Sequence, residues 1–197
     1  MKKIILCVIL AIVALWGAFY TENLTEKQRR EQLEQLKPDE LVSMLMKDSL
    51  ATLEQRAITL KQMKEGYQDE AFAKQHGRVL GIGSPTFYII KDECQHATIA
   101  DDELHAVAEG IQITIPLKHI FGNTAREASG WFDIDHFQNT TDFNAVSAAM
   151  NTYITQQVKN FKADENGEVE FLAGVAIQKS TDLQQITLIP YQVKNDD

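Results

Sequence analysis

The stretch Phe121-Gly-Asn-Thr-Ala-Arg-Glu-Ala-Ser-Gly-Trp-Phe-Asp-Ile-Asp-His-Phe-Gln-Asn-Thr-Thr-Asp-Phe-Asn-Ala-Val-Ser-Ala-Ala-Met-Asn151 decides the fold, because it separates two groups of extended segments. Its first part is neither a plain strand nor a plain helix. It combines Trp131, Phe132 and Phe137 with a lone Arg126 and the acids Glu127, Asp133 and Asp135. Its second part opens an amphipathic helix from about Asp142 to Lys162, with Phe143, Val146, Met150, Tyr153, Ile154, Val158 and Phe161 on one face. Thr140 or Thr141 is placed to cap its first turn, Asp142 suits the positive end of the dipole, and Lys159 and Lys162 suit the negative end.

Upstream, Arg78 to Gly83 leads through Ser84-Pro85 into Thr86 to Lys91, a run that suits a pleated surface. Gln95 to Ala100 reads as a return strand after a turn at Asp92-Glu93, and Asp101-Asp102 as the next turn. Leu104 to Glu109 does not declare its type. Ile111, Ile113, Ile115 and Leu117 then alternate with polar residues as a half-buried strand, with Pro116 at its edge or end. Downstream, Asn166-Gly167 is a turn signal, and Val169, Phe171, Ala173, Val175 and Ile177 alternate through the next strand. Lys179 to Asp182 turns the chain into a last strand, Ile186 to Val193, where Pro190 marks an edge or a bulge. Three strands, a connection with a helix, and two strands predict an α+β chain whose centre is an OB-fold-like five-stranded barrel.

N-terminal helices and a membrane anchor precede it. Met1-Lys-Lys is followed by 17 uncharged, mainly apolar residues, Ile4 to Tyr20. That pattern fits a signal anchor or a cleaved signal peptide over 1–20. A cleavage site ending at Ala18 would need a small side chain where Trp16 stands, and Cys7 lies too early in the run to be a lipoprotein cysteine, so an uncleaved anchor is favoured. Lys2 and Lys3 put the start on the cytoplasmic side, although Lys27, Arg29 and Arg30 follow on the other flank. The expected location is the bacterial inner membrane, single pass through residues 4–20, with the domain in the periplasm.

Residues 21–66 read as a charged spacer and stem helices, and 67–197 as the OB-like domain. In the stem, Val42, Met46, Leu50, Leu53, Ala57 and Leu60 recur at spacings of three and four, with a break at Asp48-Ser49. This stripe packs on the domain's own core or, as a short coiled-coil seam, pairs with a second copy in a homo-oligomer.

A net charge of -9 and a pI near 5.0 argue against nucleic acid as a partner. Cys7 and Cys94 have no geometry for pairing, and His76, His96, His105, His119 and His136 lack metal-site spacing. No metal and no cofactor are expected.

Phe121-Gly-Asn-Thr-Ala-Arg-Glu-Ala, Gly130-Trp-Phe, Asp135-His-Phe-Gln-Asn139 and Met150-Asn151 resemble the bacterial predicted periplasmic lipoproteins catalogued as domain of unknown function 2291. The resemblance extends from near Leu53 to Ile186-Thr-Leu-Ile-Pro190. It implies a periplasm-facing, membrane-attached, OB-like domain without an established activity, in a family often encoded beside sugar-uptake ABC transporters. The chain departs from that family in lacking a lipobox cysteine after the apolar run, in carrying Glu127 where aspartate is expected, and in placing Thr140 after Asn139 where glutamine is expected.

Arg126, Glu127, Trp131, Phe137, Asn139 and Asn151 form the candidate ligand-binding or structural motif. A buried guanidinium must meet acids, carbonyls or a ligand. In the structural version Arg126 pairs with Asp133, Asp135 or Asp142 and carbonyls; in the binding version Arg126, Asn139 and Asn151 converge with Trp131 on a cleft for a sugar ring. Asn139 is better suited to bonding backbone amides at the helix entrance. No catalytic residue is assigned, since nothing fixes the separation of Asp133 and Asp135. The expected function is an accessory or solute-binding domain linked to carbohydrate ABC uptake. The alternatives are an assembly protein with an envelope partner and, third, a hydrolase.

Overall fold

The computed structural model describes residues 37–137, 139–164 and 167–195. The anchor at 4–20 and nearly all of the charged spacer lie outside the described residues. Among the described residues, no helix is long and apolar enough to cross a membrane.

Pro38–Asp197 forms one compact unit. It opens with four short helices: α1 (Pro38–Asp48), α2 (Leu50–Arg56), α3 (Leu60–Gly66) and α4 (Glu70–His76). Six strands and two helices follow a first short strand: β1 (Gly77–Val79), β2 (Thr86–Ala100), β3 (Glu103–Ala108), β4 (Ile111–Pro116), α5 (Thr124–Ser129), α6 (Thr140–Val158), β5 (Val169–Ile177), β6 (Gln185–Thr187) and β7 (Ile189–Asn195). The sheet order is β6-β4-β3-β2-β5-β7, with β1 beside the start of β2. β6 and β7 are consecutive pieces of one chain segment, interrupted only at Leu188. One piece pairs parallel to β4 and the other antiparallel to β5, so the sheet curls back on itself as the expected five-stranded OB-like barrel.

β2 is where the sequence misleads. Asp92-Glu93 is not a turn, and Thr86–Ala100 is one strand. Asp92 and Glu93 pair in register with Phe171 and Glu170 of β5, which holds both acids in extended backbone. The Asp92 carboxylate accepts the Leu60 N–H at 2.8 Å and so ties β2 to the start of α3. The change of direction comes later, at a bulge between Gln95 and Thr98, where His96 has φ 57° and the Ala97 N–H donates to Gly167 O. Up to Cys94 the strand pairs with β5, and beyond it with β3, so one strand serves both halves of the barrel. The turns at Asp101-Asp102 and Glu109-Gly110 have φ positive at both central residues, the geometry that matches strand twist in tight hairpins. At Pro190 the pairing of β5 and β7 shifts register, which is the expected bulge.

Burial explains why only some strands alternate. In β4, Ile111, Ile113 and Ile115 are buried while Gln112 is exposed, because one face is outside. In β5, Phe171 to Val175 are all buried, because α5 covers the second face. Gly174 permits that approach: a Cβ there would lie 3.0 Å from Ala128 Cβ and 3.1 Å from the Tyr191 hydroxyl. The Cys94 thiol is closed inside the same core, and burial, reinforced by Asp92, pushes it up to about 11.

The N-terminal helices pack on this core. Leu41, Val42 and Met46 of α1 are buried, and α1 lies on α6. Leu53, Leu60 and Met63 are fully buried; side chains of this size contribute about 1.5–3 kcal/mol each. Of the stripe seen in the sequence, Val42, Met46, Leu53 and Leu60 are buried inside the chain and Leu50 and Ala57 are half-buried. Between α2 and α3, Ile58 bridges to Ile90 of β2, with its N–H on Ile89 O at 3.0 Å.

Replacing Asp92 should test the joint between β2 and α3. Asp92→Ala is expected to lower unfolding free energy by about 1 kcal/mol, as loss of a helix-start acceptor does, whereas Asp92→Asn should retain most of it in urea denaturation.

Candidate functional site

The six residues of α5 are too few to form a helix alone. The surroundings hold it. Ala125, Arg126, Glu127, Ala128 and Ser129 are all buried, and Gly130 takes the left-handed conformation, φ 64°, that ends the helix.

Arg126 and Glu127 are 4 % and 3 % exposed, so neither charge is shared with bulk water. The Arg126 Nε and Nη2 donate to Glu127 Oε1 at 3.1 and 2.5 Å, Nη1 donates to Phe143 O at 3.1 Å, and the guanidinium lies 3.6 Å over the Phe143 ring. Arg78 approaches the other carboxylate oxygen, Glu127 Oε2, at 3.6 Å. Arg78 also donates to Glu127 O and Phe132 O and pairs with Asp133. Arg56 donates to Ser129 O at 2.8 Å, and the Tyr191 hydroxyl to Ala125 O at 2.6 Å. Burial drives the Tyr191 phenol far above its ordinary range, so it remains a donor.

Arg126 therefore pairs with its neighbour Glu127 and not with Asp133, Asp135 or Asp142. Asp133 is held by Arg78, Asp135 is exposed, and Asp142 is engaged by Asn139. The convergence of Arg126, Asn139, Asn151 and Trp131 on one cleft does not occur. Trp131 turns to Tyr191, with ring centroids 6.5 Å apart. Phe137 sits between Phe132 and Phe143, at 6.2 and 5.5 Å. Asn139, not Thr140 or Thr141, caps α6: its side-chain oxygen accepts the Asp142 N–H at 2.9 Å. The helix accordingly starts at Thr140 and stops at Val158, short of the expected Lys162.

Asn151 is in a different place. Its Nδ2 donates to Gly122 O at 2.9 Å, and it lines a groove of about 620 Å³ between the 118–122 loop and the outer face of α6. Asn144, Ser147 and Thr155 share that lining with Phe121. Phe121 is 76 % exposed and lies parallel to His119, and the Ser147 hydroxyl is buried with no hydrogen-bond partner. Lys118 at the rim is engaged by Asp102 at 2.5 Å. Among the described residues, no three His, Cys, Asp or Glu side chains come together as metal ligands.

Sequence reasoning missed Arg56, Arg78 and Tyr191, which hold α5 from distant elements, and Asn144 and Ser147. Spacing gave a signal only for the last two, which stand with Asn151 at helical intervals in the sequence.

A curled five-stranded barrel with a helix between its third and fourth strands, locked by a buried ion cluster and grooved beside that helix, defines an OB-fold domain. The chain belongs to the family described as predicted periplasmic lipoprotein of unknown function, DUF2291, whose model matches residues 9–194. Membership carries with it a periplasmic, membrane-associated location. An OB-fold protein of Thermotoga maritima, solved by crystallography, shares the fold: TM-score 0.61, 22 % identity, covering 81 % of this chain and 98 % of that one. No curated protein matches the chain.

Removing the carboxylate in Glu127→Ala leaves the Arg126 guanidinium buried and uncompensated. The expected cost is about 3–5 kcal/mol in chemical denaturation, against a much smaller loss for the exposed Asp135→Ala.

Proposed function

We propose that the protein is a non-catalytic accessory module that holds a small, neutral, hydroxyl-rich solute in the groove beside α6. The chemistry of that lining supports this reading. Asn144 and Asn151 offer amides that both donate and accept, Ser147 and Thr155 offer hydroxyls, and Phe121 presents an open ring face. That combination matches a sugar, which has hydroxyls at its edge and an apolar face. No acidic side chain lines the groove; of its two lysines, Lys118 is paired with Asp102 and Lys159 stands at the end of α6. A supporting role in carbohydrate uptake through an ABC transporter belongs to the same proposal.

Non-catalysis is supported by the fate of the acids. Asp133 is paired with Arg78, and Glu127 is sealed between two guanidiniums, so neither is placed to move a proton to a solute. Attachment by an uncleaved single pass through residues 4–20 completes the reading, since no cysteine closes the apolar run.

Thermal-shift measurements against a panel of mono- and disaccharides should give a rise in melting temperature for at least one sugar. Phe121→Ala and Asn144→Ala should each abolish it while leaving the unliganded melting temperature nearly unchanged. No shift with any saccharide, together with a co-purifying membrane protein, would replace this reading with that of an assembly protein. Intact-mass spectrometry of the membrane-extracted protein should find the Met1 end; a start near Phe19 would refute the anchor.

A further inference from the structure

Between β1 and β2 the chain turns through Val79-Leu80-Gly81-Ile82-Gly83-Ser84-Pro85. Val79 and Leu80 are 48 % and 47 % exposed, and Ile82, at 110 %, stands clear of the surface. The turn is well built. Val79 pairs with Thr86 at its neck, the Ser84 N–H donates to Gly81 O at 3.2 Å, and Gly83 has φ 79°. Beneath it a cavity of about 750 Å³ opens between α4 and the end of β5, floored by Ala73 and Ile177 and rimmed by Lys74 and Lys179. Single exposed aliphatic residues are ordinary, but three on one turn form a patch that marks a contact.

We propose that this turn is a membrane-contacting hook, its aliphatic tip inserted among the headgroups and upper acyl chains of the bilayer. Composition favours lipid over a protein partner, because the patch lacks the Trp, Tyr and Arg anchors that dominate protein interfaces. Charge agrees. Glu70 is held by Lys179 at 3.1 Å, and the Asp69 carboxylate accepts the N–H groups of Ala71 and Phe72, while Lys74 forms no ion pair among the described residues. The rim is near neutral overall, and the Lys74 ammonium can extend along its stem to lipid phosphates. The family is membrane-associated, and the chain between the apolar run and Pro38 spans at most ~60 Å when fully extended. A weak contact is then strengthened by high effective concentration.

The test uses the full chain reconstituted in vesicles of phosphatidylethanolamine and phosphatidylcholine, with Trp16→Phe and Trp131→Phe so that the introduced residue is the sole tryptophan. Ile82→Trp should shift its emission to the blue and lose most of its intensity when the lipids are brominated below the headgroup. Leu80→Trp should respond in the same way. Val107→Trp, at a position 60 % exposed on β3, should keep its intensity. Circular dichroism unchanged from the parent confirms that each variant is folded. Absence of quenching in the Ile82→Trp and Leu80→Trp proteins overturns the proposal, and a blue shift without quenching does so in favour of a protein contact.

Discussion

One buried carboxylate holds the connection across the barrel. Glu127 receives Arg126 on one oxygen and faces Arg78 on the other, with both its own side chain and that of Arg126 almost wholly out of water. Desolvating such charges costs several kcal/mol each, so the arrangement persists only where geometry and further hydrogen bonds compensate. Those bonds run to the backbone. A helix as short as α5 leaves its last carbonyls without internal partners. Arg56 takes Ser129 O, Arg78 takes Glu127 O and Phe132 O, and Tyr191 takes Ala125 O. α5 is thus a helix because β1, β7 and α2 each send it a donor, and its small residues then fit against Gly174 of β5.

Much of the barrel was legible because most of its strands carry their burial in their pattern. β4 has one face in and one face out, and its isoleucines say so. Asp92-Glu93 has the composition of a turn and so divides β2 in the sequence, though not in the fold. In the fold those acids are consumed by contacts that no local pattern encodes: Asp92 accepts from Leu60, and Glu93 pairs in register with Glu170. The true bend lies at His96, whose left-handed backbone is uncommon outside glycine and accompanies the change of partner strand. At the helix entrance Asn139 bonds a backbone amide as its residue type suggests, and it is the cap in place of Thr140 or Thr141. Asn139 and the two threonines after it are all good caps, and only the path of the chain decides among them.

At the site, the requirement was legible and the partner was not. A lone arginine among aromatics must be paired, and it is. Adjacent residues on a helix ordinarily point apart, so spacing does not mark Glu127 as the partner of Arg126. The pairing closes because Arg126 folds back over the Phe143 ring, an effect of packing with α6. Arg78 and Tyr191 reach the cluster from the two ends of the domain sequence, where spacing carries no information about them.

The lock and the groove are coupled through α6. Arg126 fixes this helix at the Phe143 carbonyl, and Asn151 fixes it two turns later to the Gly122 carbonyl. Asn144 and Ser147 lie between these two attachments, so their side chains project from backbone that is held at both ends. A group presented in this way loses little freedom on meeting a solute, which lowers the cost of binding. By holding α6 over the 118–122 loop, the Arg126–Glu127 pair fixes where the amide of Asn144, the unpartnered hydroxyl of Ser147 and the face of Phe121 stand relative to one another.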